Sequence, residues 1–276
     1  MMSFSVVGPD GSMVETETDA GASIPVPPLS HFVAIFDRLL DPTTLLDVDE
    51  DAGTIEPKPP TTRVAIITWL GGGSAESKTA YVSSNHHKFA LFFPPGPSLT
   101  TTPLTGLPSG TGGITVTFDP DKVRSRDQST PFAAAQGVKS SLVLVTEPLM
   151  VSFDVPVPDP ADGGASDDDA GDGGSGPGMA LPVPADFVAH VLFNNYTSAD
   201  TAAAIEVTGT LAGVPIAALG AAVAADAENP ASWTVSPPTT GWPSGAVITI
   251  SVGAAAADRF GVALGAPASA SFTVAP

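Results

Sequence analysis

Five aspartates lie close together near the middle of the chain, in a stretch that is otherwise mostly glycine, serine and alanine. They are Asp162, Asp167, Asp168, Asp169 and Asp172. Hard cations such as Ca²⁺ prefer several carboxylate and carbonyl oxygens on a flexible backbone, so a calcium site is one interpretation of this segment. The spacing lacks the glutamate that closes an EF-hand loop. The composition favours the other interpretation, an acidic Gly/Asp-rich insertion or linker at about 163–178.

Two tryptophans offer a second kind of binding chemistry. Trp233 and Trp242 both lie within the segment 232–245, which is rich in proline, threonine and glycine. Aromatic rings on the face of a β-sandwich can stack on sugar rings, which makes these residues candidate glycan contacts. Large aromatic residues are more often part of a core, and core packing is the favoured alternative.

Residues suited to catalysis are sparse. The chain has no cysteine, which excludes thiol catalysis and Cys-ligated zinc. The adjacent His86 and His87 lie in a polar stretch and are expected in a solvated turn, because a metal site would need two further ligands. His31 and His190 are expected to pack or to lie at an edge. Gly171–Pro177 has the composition of a serine-protease loop but the wrong order, and no His/Asp partners suit a triad. We therefore expect no enzymatic activity and no cofactor, with calcium as the one alternative.

Composition and charge limit the fold and the partners. The 276 residues suit two domains, and 28 Gly and 29 Pro favour short strands joined by many turns. The net charge of −19 argues against nucleic-acid binding, because phosphate contacts need clustered Lys and Arg. No apolar run is long enough for a membrane span, and the first residues lack the pattern of a signal peptide.

The elements that would position these residues occur twice. Residues 32–36 (FVAIF) predict a strand, because the run is short and rich in β-branched and aromatic residues. Asp41–Thr44 (DPTT) then predicts a turn and the start of a short helical turn. A weaker version of the pattern returns at 188–207, so that Phe36-Asp37-Arg38 corresponds to Phe193-Asn194-Asn195. Asp41–Thr44 is then expected to correspond to Thr197–Thr201.

Five further correspondences occur in the same order along the chain. They pair 8–11 with 159–163, Ile24–Pro27 with Leu181–Pro184, Leu107–Gly110 with Trp242–Gly245, and Ile114–Phe118 with Val247–Val252, and they end with the closing strands Leu149–Val155 and Ser269–Val274. The sequence therefore predicts two related β domains at 1–158 and 159–276, with the acidic segment as an insertion or linker in the second.

This set of motifs resembles the bacterial Ig-like domain of the S-layer SbsA type. The resemblance covers roughly 3–157 and 159–276, and it is carried by the Phe-Asp-x-x-Leu-Asp-Pro run, the Pro-Ser-Gly turns and the closing Ser-Phe-Thr strand. The second half departs from the family at Asn194-Asn195-Tyr196, and the family's turn before the last strand is present only as Asp258–Gly261 (DRFG). The resemblance implies an all-β fold of two tandem Ig-like antiparallel β-sandwiches.

The resemblance also implies a non-catalytic function. Domains of this family build surface, secreted and lipoprotein architectures and carry no catalytic residues. We expect a structural or adhesive protein outside the cytoplasm, extracellular or at the cell surface, acting as a spacer or as a subunit of a surface assembly. Its expected partners are proteins or further copies of itself. The alternative is a carbohydrate- or calcium-binding accessory module that contacts a surface polysaccharide.

Overall fold

The structure is a computed structural model. It describes residues 1–14, 23–49, 51, 54–57, 65–69, 73–76, 79–82, 89–93, 106–126, 141–156, 181–227 and 229–276. Strands dominate these residues, and the helical elements among them are three short 3₁₀ segments, Pro42–Thr44, Pro120–Lys122 and Ala199–Ala204. The prediction of an all-β fold is confirmed. No helix in the described part of the chain is long and apolar enough to cross a membrane.

The chain forms two units, and the first includes two short segments from later in the sequence. Unit 1 comprises Met1–Leu149 together with Asn194–Tyr196 and Asp258–Val262. Its strands are β1 (Ser3–Val7), β2 (Met13–Val14), β3 (Pro25–Val26), β4 (His31–Ile35), β5 (Leu46–Asp49), β6 (Thr54–Pro57), β7 (Ala65–Trp69), β8 (Gly73–Glu76), β9 (Thr79–Val82), β10 (Phe89–Phe93), β11 (Ile114–Phe118) and β12 (Ser141–Thr146).

Unit 1 is a sandwich of two five-stranded sheets. The strand orders are β2-β1-β4-β10-β9 and β3-β12-β11-β7-β8, and β5 and β6 form a separate ribbon. All pairings are antiparallel except that of β3 with β12. Alternate residues of both sheets meet in one buried core, to which β4 contributes Phe32 and Ala34 and β11 contributes Ile114, Val116 and Phe118. This alternation is what a half-buried strand requires.

Unit 2 comprises Met150–Phe193, Thr197–Ala257 and Ala263–Pro276. Its strands are β13 (Val151–Asp154), β14 (Ala189–Phe193), β15 (Ile205–Leu211), β16 (Val214–Pro215), β17 (Ala222–Ala225), β18 (Ser232–Ser236), β19 (Val247–Val252) and β20 (Ala268–Thr273). They form the sheets β13-β14-β18-β17 and β16-β15-β19-β20. Val183 makes a parallel bridge to Val274 beside β20. This matches the parallel pairing of β3 beside β12 in unit 1.

Four strands of each sheet in unit 1 therefore have counterparts in unit 2, in the same order. The sequence β1-β4-β10-β9 in unit 1 corresponds to β13-β14-β18-β17 in unit 2, and β12-β11-β7-β8 corresponds to β20-β19-β15-β16. The Ig-like assignment stays a prediction.

One predicted correspondence is wrong. The sequence pairs Leu149–Val155 with Ser269–Val274 as closing strands, whereas β13 is hydrogen-bonded to β14 and opens unit 2. The strand that holds the place of β20 in unit 1 is β12, which pairs with β11 as β20 pairs with β19. The chain consequently divides after Leu149 rather than at the expected 158. The alternation in β13 was read correctly, but alternation identifies a strand and not its partner.

The turn after β4 forms as the sequence predicts. The Asp41 carboxylate accepts hydrogen bonds from the Thr43 N–H at 3.0 Å and from the Thr43 hydroxyl at 2.7 Å, which caps the 3₁₀ segment Pro42–Thr44. The corresponding 3₁₀ segment in unit 2 is Ala199–Ala204. Asp41 and Ser198 occupy equivalent positions in the two units. The Asp41 N–H donates to the Arg124 carbonyl at 2.9 Å, and the Ser198 N–H donates to the Ala257 carbonyl at 3.0 Å.

Candidate functional site

The residues with the most obvious binding chemistry do not form a site in the described structure. The five aspartates from Asp162 to Asp172, as well as His86 and His87, lie outside the described residues. Within the described part of the chain, no group of three or more His, Asp or Glu side chains is placed to hold a metal ion. His31 and His190 are both half-buried, as expected for packing or edge positions.

Both candidate glycan tryptophans are buried. Trp233 is 4% exposed and Trp242 is 2% exposed. The indole N–H of Trp233 donates to the Thr197 hydroxyl at 2.8 Å, and that of Trp242 donates to the Phe187 carbonyl at 2.7 Å. A ring face must be open to solvent for a sugar to stack on it, so neither residue offers such a platform. Both tryptophans pack in the core, as the alternative interpretation expects.

Among the described residues, Ser109, Asn195 and Asp258 of unit 1 form a buried polar cluster. All three residues are fully buried, at 0% exposure. Ser109 comes from the loop before β11, while Asn195 and Asp258 come from the two later segments of the unit. The hydrogen bonds therefore join parts of the chain that are 86 and 149 residues apart.

Asp258 is a buried carboxylate that accepts hydrogen bonds on both oxygens. Its Oδ1 accepts from the N–H groups of Phe260 at 2.9 Å and Val262 at 2.8 Å, which closes a tight turn over Gly261. Its Oδ2 accepts from the Ser109 N–H at 2.9 Å and from Asn195 Nδ2 at 3.3 Å. Backbone N–H groups thus supply most of the compensation that a buried charge requires. Gly261 permits the turn because its φ of +83° lies in the left-handed region.

Asn195 links this carboxylate to the loop before β11. Its Nδ2 donates to the Leu107 carbonyl at 2.8 Å and to Ser109 Oγ at 2.9 Å, and its Oδ1 accepts from the Tyr196 N–H at 2.9 Å. A Cβ at Gly106 would collide with Asn195 Oδ1, so the approach requires glycine there. Asn195 is the only side chain of the cluster with both a donor and an acceptor role fixed by the geometry.

The loop 107–111 is also held from the side of β12. The Thr146 hydroxyl donates to the Pro108 carbonyl and accepts from the Thr111 N–H at 3.0 Å. Nearby, the Asn194 side chain donates to the Pro148 carbonyl at 2.9 Å. Each of these polar groups is used to fix backbone, which leaves none of them free to act on a ligand.

The surface beside the cluster has one charged contact. The Arg259 guanidinium lies 5.7 Å from the centre of the Tyr196 ring, within the range of a cation–π interaction. Burial raises the pKa of the Tyr196 hydroxyl, while the charge of Arg259 acts in the opposite direction. Tyr196 is therefore neutral throughout the physiological pH range.

The cluster contains a serine and an aspartate but not the parts of a hydrolytic site. A nucleophilic serine needs a base that takes its proton, with a third group orienting that base. Here the Asp258 carboxylate bonds the Ser109 backbone N–H, and no histidine contacts either residue within the described structure. The arrangement holds three chain segments together.

Sequence reasoning missed this cluster. Asn195 and Asp258 were noted only as a departure from the family pattern and as part of a turn. The departure was the available signal, because Asn194-Asn195 stand where the first half has Asp37-Arg38. Searches against models of known protein families and against curated proteins found no match.

Proposed function

We propose that the chain is a non-enzymatic structural or adhesive protein that acts outside the cytoplasm, as a spacer or as a subunit of a surface assembly. The observation that carries this proposal is the cluster of Ser109, Asn195 and Asp258. The polar residues best placed for chemistry are fully buried and spend their hydrogen bonds on the backbone of distant segments. Buried polar groups that connect distant loops in this way suit a fold that holds a shape.

The resemblance to the bacterial Ig-like domain of the SbsA type supplies the location. On that resemblance, the protein belongs to the extracellular space or the cell surface, and its partners are other proteins or further copies of itself. The two corresponding strand orders support a tandem of Ig-like sandwiches, since this is the arrangement that such surface proteins use. The net charge of −19 makes nucleic acid an unsuitable partner.

The alternative, a carbohydrate- or calcium-binding accessory module, has less support. Its glycan version relied on Trp233 and Trp242, which are buried. Its calcium version relies on the acidic segment, which lies outside the described residues.

Surface labelling of the source cells tests the proposal. Intact cells would be treated with a membrane-impermeant biotin ester, which reacts with lysines such as Lys122, an exposed residue of unit 1. We expect the protein to be labelled on intact cells, with a cytoplasmic protein of the same extract as the unlabelled control. Labelling that requires cell lysis would contradict the proposed location. An accessory glycan module would instead be retained on the isolated surface polysaccharide.

A further inference from the structure

Unit 2 has a loop with the same backbone as the loop that carries Ser109. The two loops are Leu107–Gly110, before β11, and Trp242–Gly245, before β19. The first residue of each donates its N–H to an equivalent carbonyl, Leu107 to Pro28 at 2.8 Å and Trp242 to Ala185 at 2.7 Å. The last residue of each loop is a glycine with positive φ. The Gly110 N–H donates to the Glu147 carbonyl at 2.7 Å, and the Gly245 N–H donates to the Ala275 carbonyl at 3.3 Å.

The two loops differ in what covers them. Ser109 is fully buried, and its N–H and hydroxyl are bonded to Asp258 and Asn195. Ser244, at the same position of the second loop, is exposed. In the part of the chain that the structure describes, neither the N–H nor the hydroxyl of Ser244 has a hydrogen-bond partner. Ser244 therefore presents to solvent the same N–H and hydroxyl that Ser109 uses within its cluster.

The glycines that precede the two loops also have similar backbone conformations. Gly106 and Gly241 both have positive φ, at 70° and 81°. At Gly106, the place of a Cβ is taken by the Asn195 side chain. At Gly241, the three atoms nearest to such a Cβ all belong to Ala185, at 3.1 to 3.5 Å. The backbone that accommodates an asparagine in unit 1 is thus present in unit 2 without one.

We propose that the loop Trp242–Gly245 is a docking site for a further β-sandwich unit, one that carries an asparagine and an aspartate at the positions of Asn195 and Asp258. The chemistry selects this partner. The exposed Ser244 N–H can donate to a carboxylate, and Ser244 Oγ can accept from a carboxamide, as Ser109 does with Asp258 and Asn195. Unit 1 contains the same loop with this pair seated on it.

A second copy of the chain does not fit as the occupant. Its Asn195 and Asp258 are already bonded within unit 1. The places equivalent to Asn194, Asn195 and Asp258 are held in the first half by Asp37, Arg38 and Ser125, as the shared backbone bonds of Asp41 and Ser198 indicate. Arg38 has no acceptor atom to match the Oδ1 of Asn195, and the Ser125 hydroxyl does not supply the negative charge of Asp258.

This proposal deepens the structural function proposed above, because it names the chemistry of the partner in the assembly. A chain extended by one unit provides the test. Residues 150–276 would be repeated after Pro276, so that the added copy supplies its own Asn195 and Asp258 to the Trp242–Gly245 loop of the full chain. The native chain has no cysteine, so a single Ser244→Cys in the original copy reports exposure through its rate of reaction with a maleimide.

We expect Ser244→Cys to react at least about tenfold more slowly in the extended chain than in the 276-residue chain, since docking protects the loop. Ser269→Cys, at an exposed residue of β20, is the matched control and is expected to react equally in both chains. Asn195→Asp in the added copy alone removes the amide donor with little change of shape and is expected to restore fast labelling.

Equal labelling of Ser244→Cys in both chains would overturn the proposal. Failure of the added copy to fold, seen by near-ultraviolet circular dichroism, would overturn it as well, because the loop would then not serve as Leu107–Gly110 does. Slow labelling that persists with Asn195→Asp would show burial by other contacts and would also contradict the proposed chemistry. None of these results alters the surface-labelling test, which depends on location alone.

Discussion

The cores of the two units have corresponding strands but place their aromatic bulk differently. In unit 1 the rings of Phe4, Phe36 and Phe118 cluster, with centroids 5.5 and 5.9 Å from that of Phe118. In unit 2 the rings of Phe187 and Trp242 pack edge-on against Phe272, at 5.2 and 5.8 Å. The first cluster lies where β4 ends and the second lies before β14 begins. The two ring clusters thus lie at opposite ends of the corresponding strand.

Equivalent core positions in the two units hold residues of different size. Register places Phe272 of unit 2 where unit 1 has Leu144, since each faces an isoleucine of the neighbouring central strand. Phe187 stands where unit 1 has Ser30, because each donates its N–H to an equivalent proline carbonyl, at 3.1 and 3.0 Å. Cores tolerate such exchange when the total volume is kept. The comparison teaches that the shared strand order does not require the same residue at a given core position.

Removing the central ring of unit 2 is expected to have the largest effect. Phe272 is 3% exposed and contacts both other rings of its cluster. Phe272→Ala should lower the free energy of unfolding by about 3–5 kcal/mol, the usual loss for emptying an aromatic core site. Phe272→Leu, which installs the residue of unit 1, should cost clearly less. Urea denaturation measures both, and equal losses would show that Leu144 and Phe272 are not equivalent.

The buried polar cluster should rank next. Asn195→Ala leaves the Leu107 carbonyl, the Ser109 hydroxyl and the Tyr196 N–H without this partner. Each buried polar group left unpaired costs about 1–3 kcal/mol, so we expect a total loss of about 2–4 kcal/mol. The matched control is Arg38→Ala, at the exposed equivalent position, with an expected change within about 0.5 kcal/mol. Similar losses in the two variants would contradict the contrast drawn between the two turns.

Ser30, which stands where unit 2 has Phe187, is expected to lower the stability of unit 1. Its hydroxyl is fully buried and has no hydrogen-bond partner in the described structure. Because burying an unpaired hydroxyl is unfavourable, Ser30→Ala should stabilise the protein by about 1 kcal/mol. Thermal unfolding monitored by circular dichroism measures the change. A destabilised Ser30→Ala variant would mean that the hydroxyl makes a bond and that the position is not merely an emptied Phe187 site.

A histidine distinguishes the start of β4 from that of β14, where Val188 takes its place. Burial lowers the pKa of His31 below the usual value of 6.5. The unfolded chain then binds more protons than the folded chain, so stability is full above about pH 6.5 and falls as the pH drops through the lowered pKa. His31→Val should remove this part of the acid dependence. Melting temperatures at pH 7.5 and pH 5 measure it, and an unchanged difference between the two would exclude His31 as its source.

Much of this fold could be predicted because the signals are local. The strands at 65–69 and 89–93 were expected from their β-branched and aromatic runs, and the turn at Asp41 was expected from its residue types. The likeness of the loops Leu107–Gly110 and Trp242–Gly245 was also visible, since Pro, Ser and Gly are all residues that favour turns. Local chemistry of this kind does not depend on what the rest of the chain does.

The cluster could not be predicted for the opposite reason. Ser109 and Asp258 meet across 149 residues of sequence, and such a pairing leaves no periodic trace. The same limit explains β13, whose alternation is equally compatible with closing one sheet or opening the next. It also explains Trp233 and Trp242, because exposure is set by the facing sheet and not by the neighbouring residues.

The smallest effect is expected in the acidic segment, which has no counterpart in the first half. If Asp167, Asp168 and Asp169 belong to a linker, replacing all three by alanine should leave the melting temperature nearly unchanged, because like charges in water contribute little. Calcium should then have no effect on either protein. A calcium site would behave differently, since binding to the folded state raises the melting temperature of the wild type and the triple variant would lose that rise. The seven glycines between 163 and 178 make a preformed cage costly to order, and weak millimolar binding is the strongest that such a segment would support. Melting curves in calcium, in magnesium and in a chelator separate the cases. A rise specific to calcium and abolished by the triple substitution would overturn the linker interpretation.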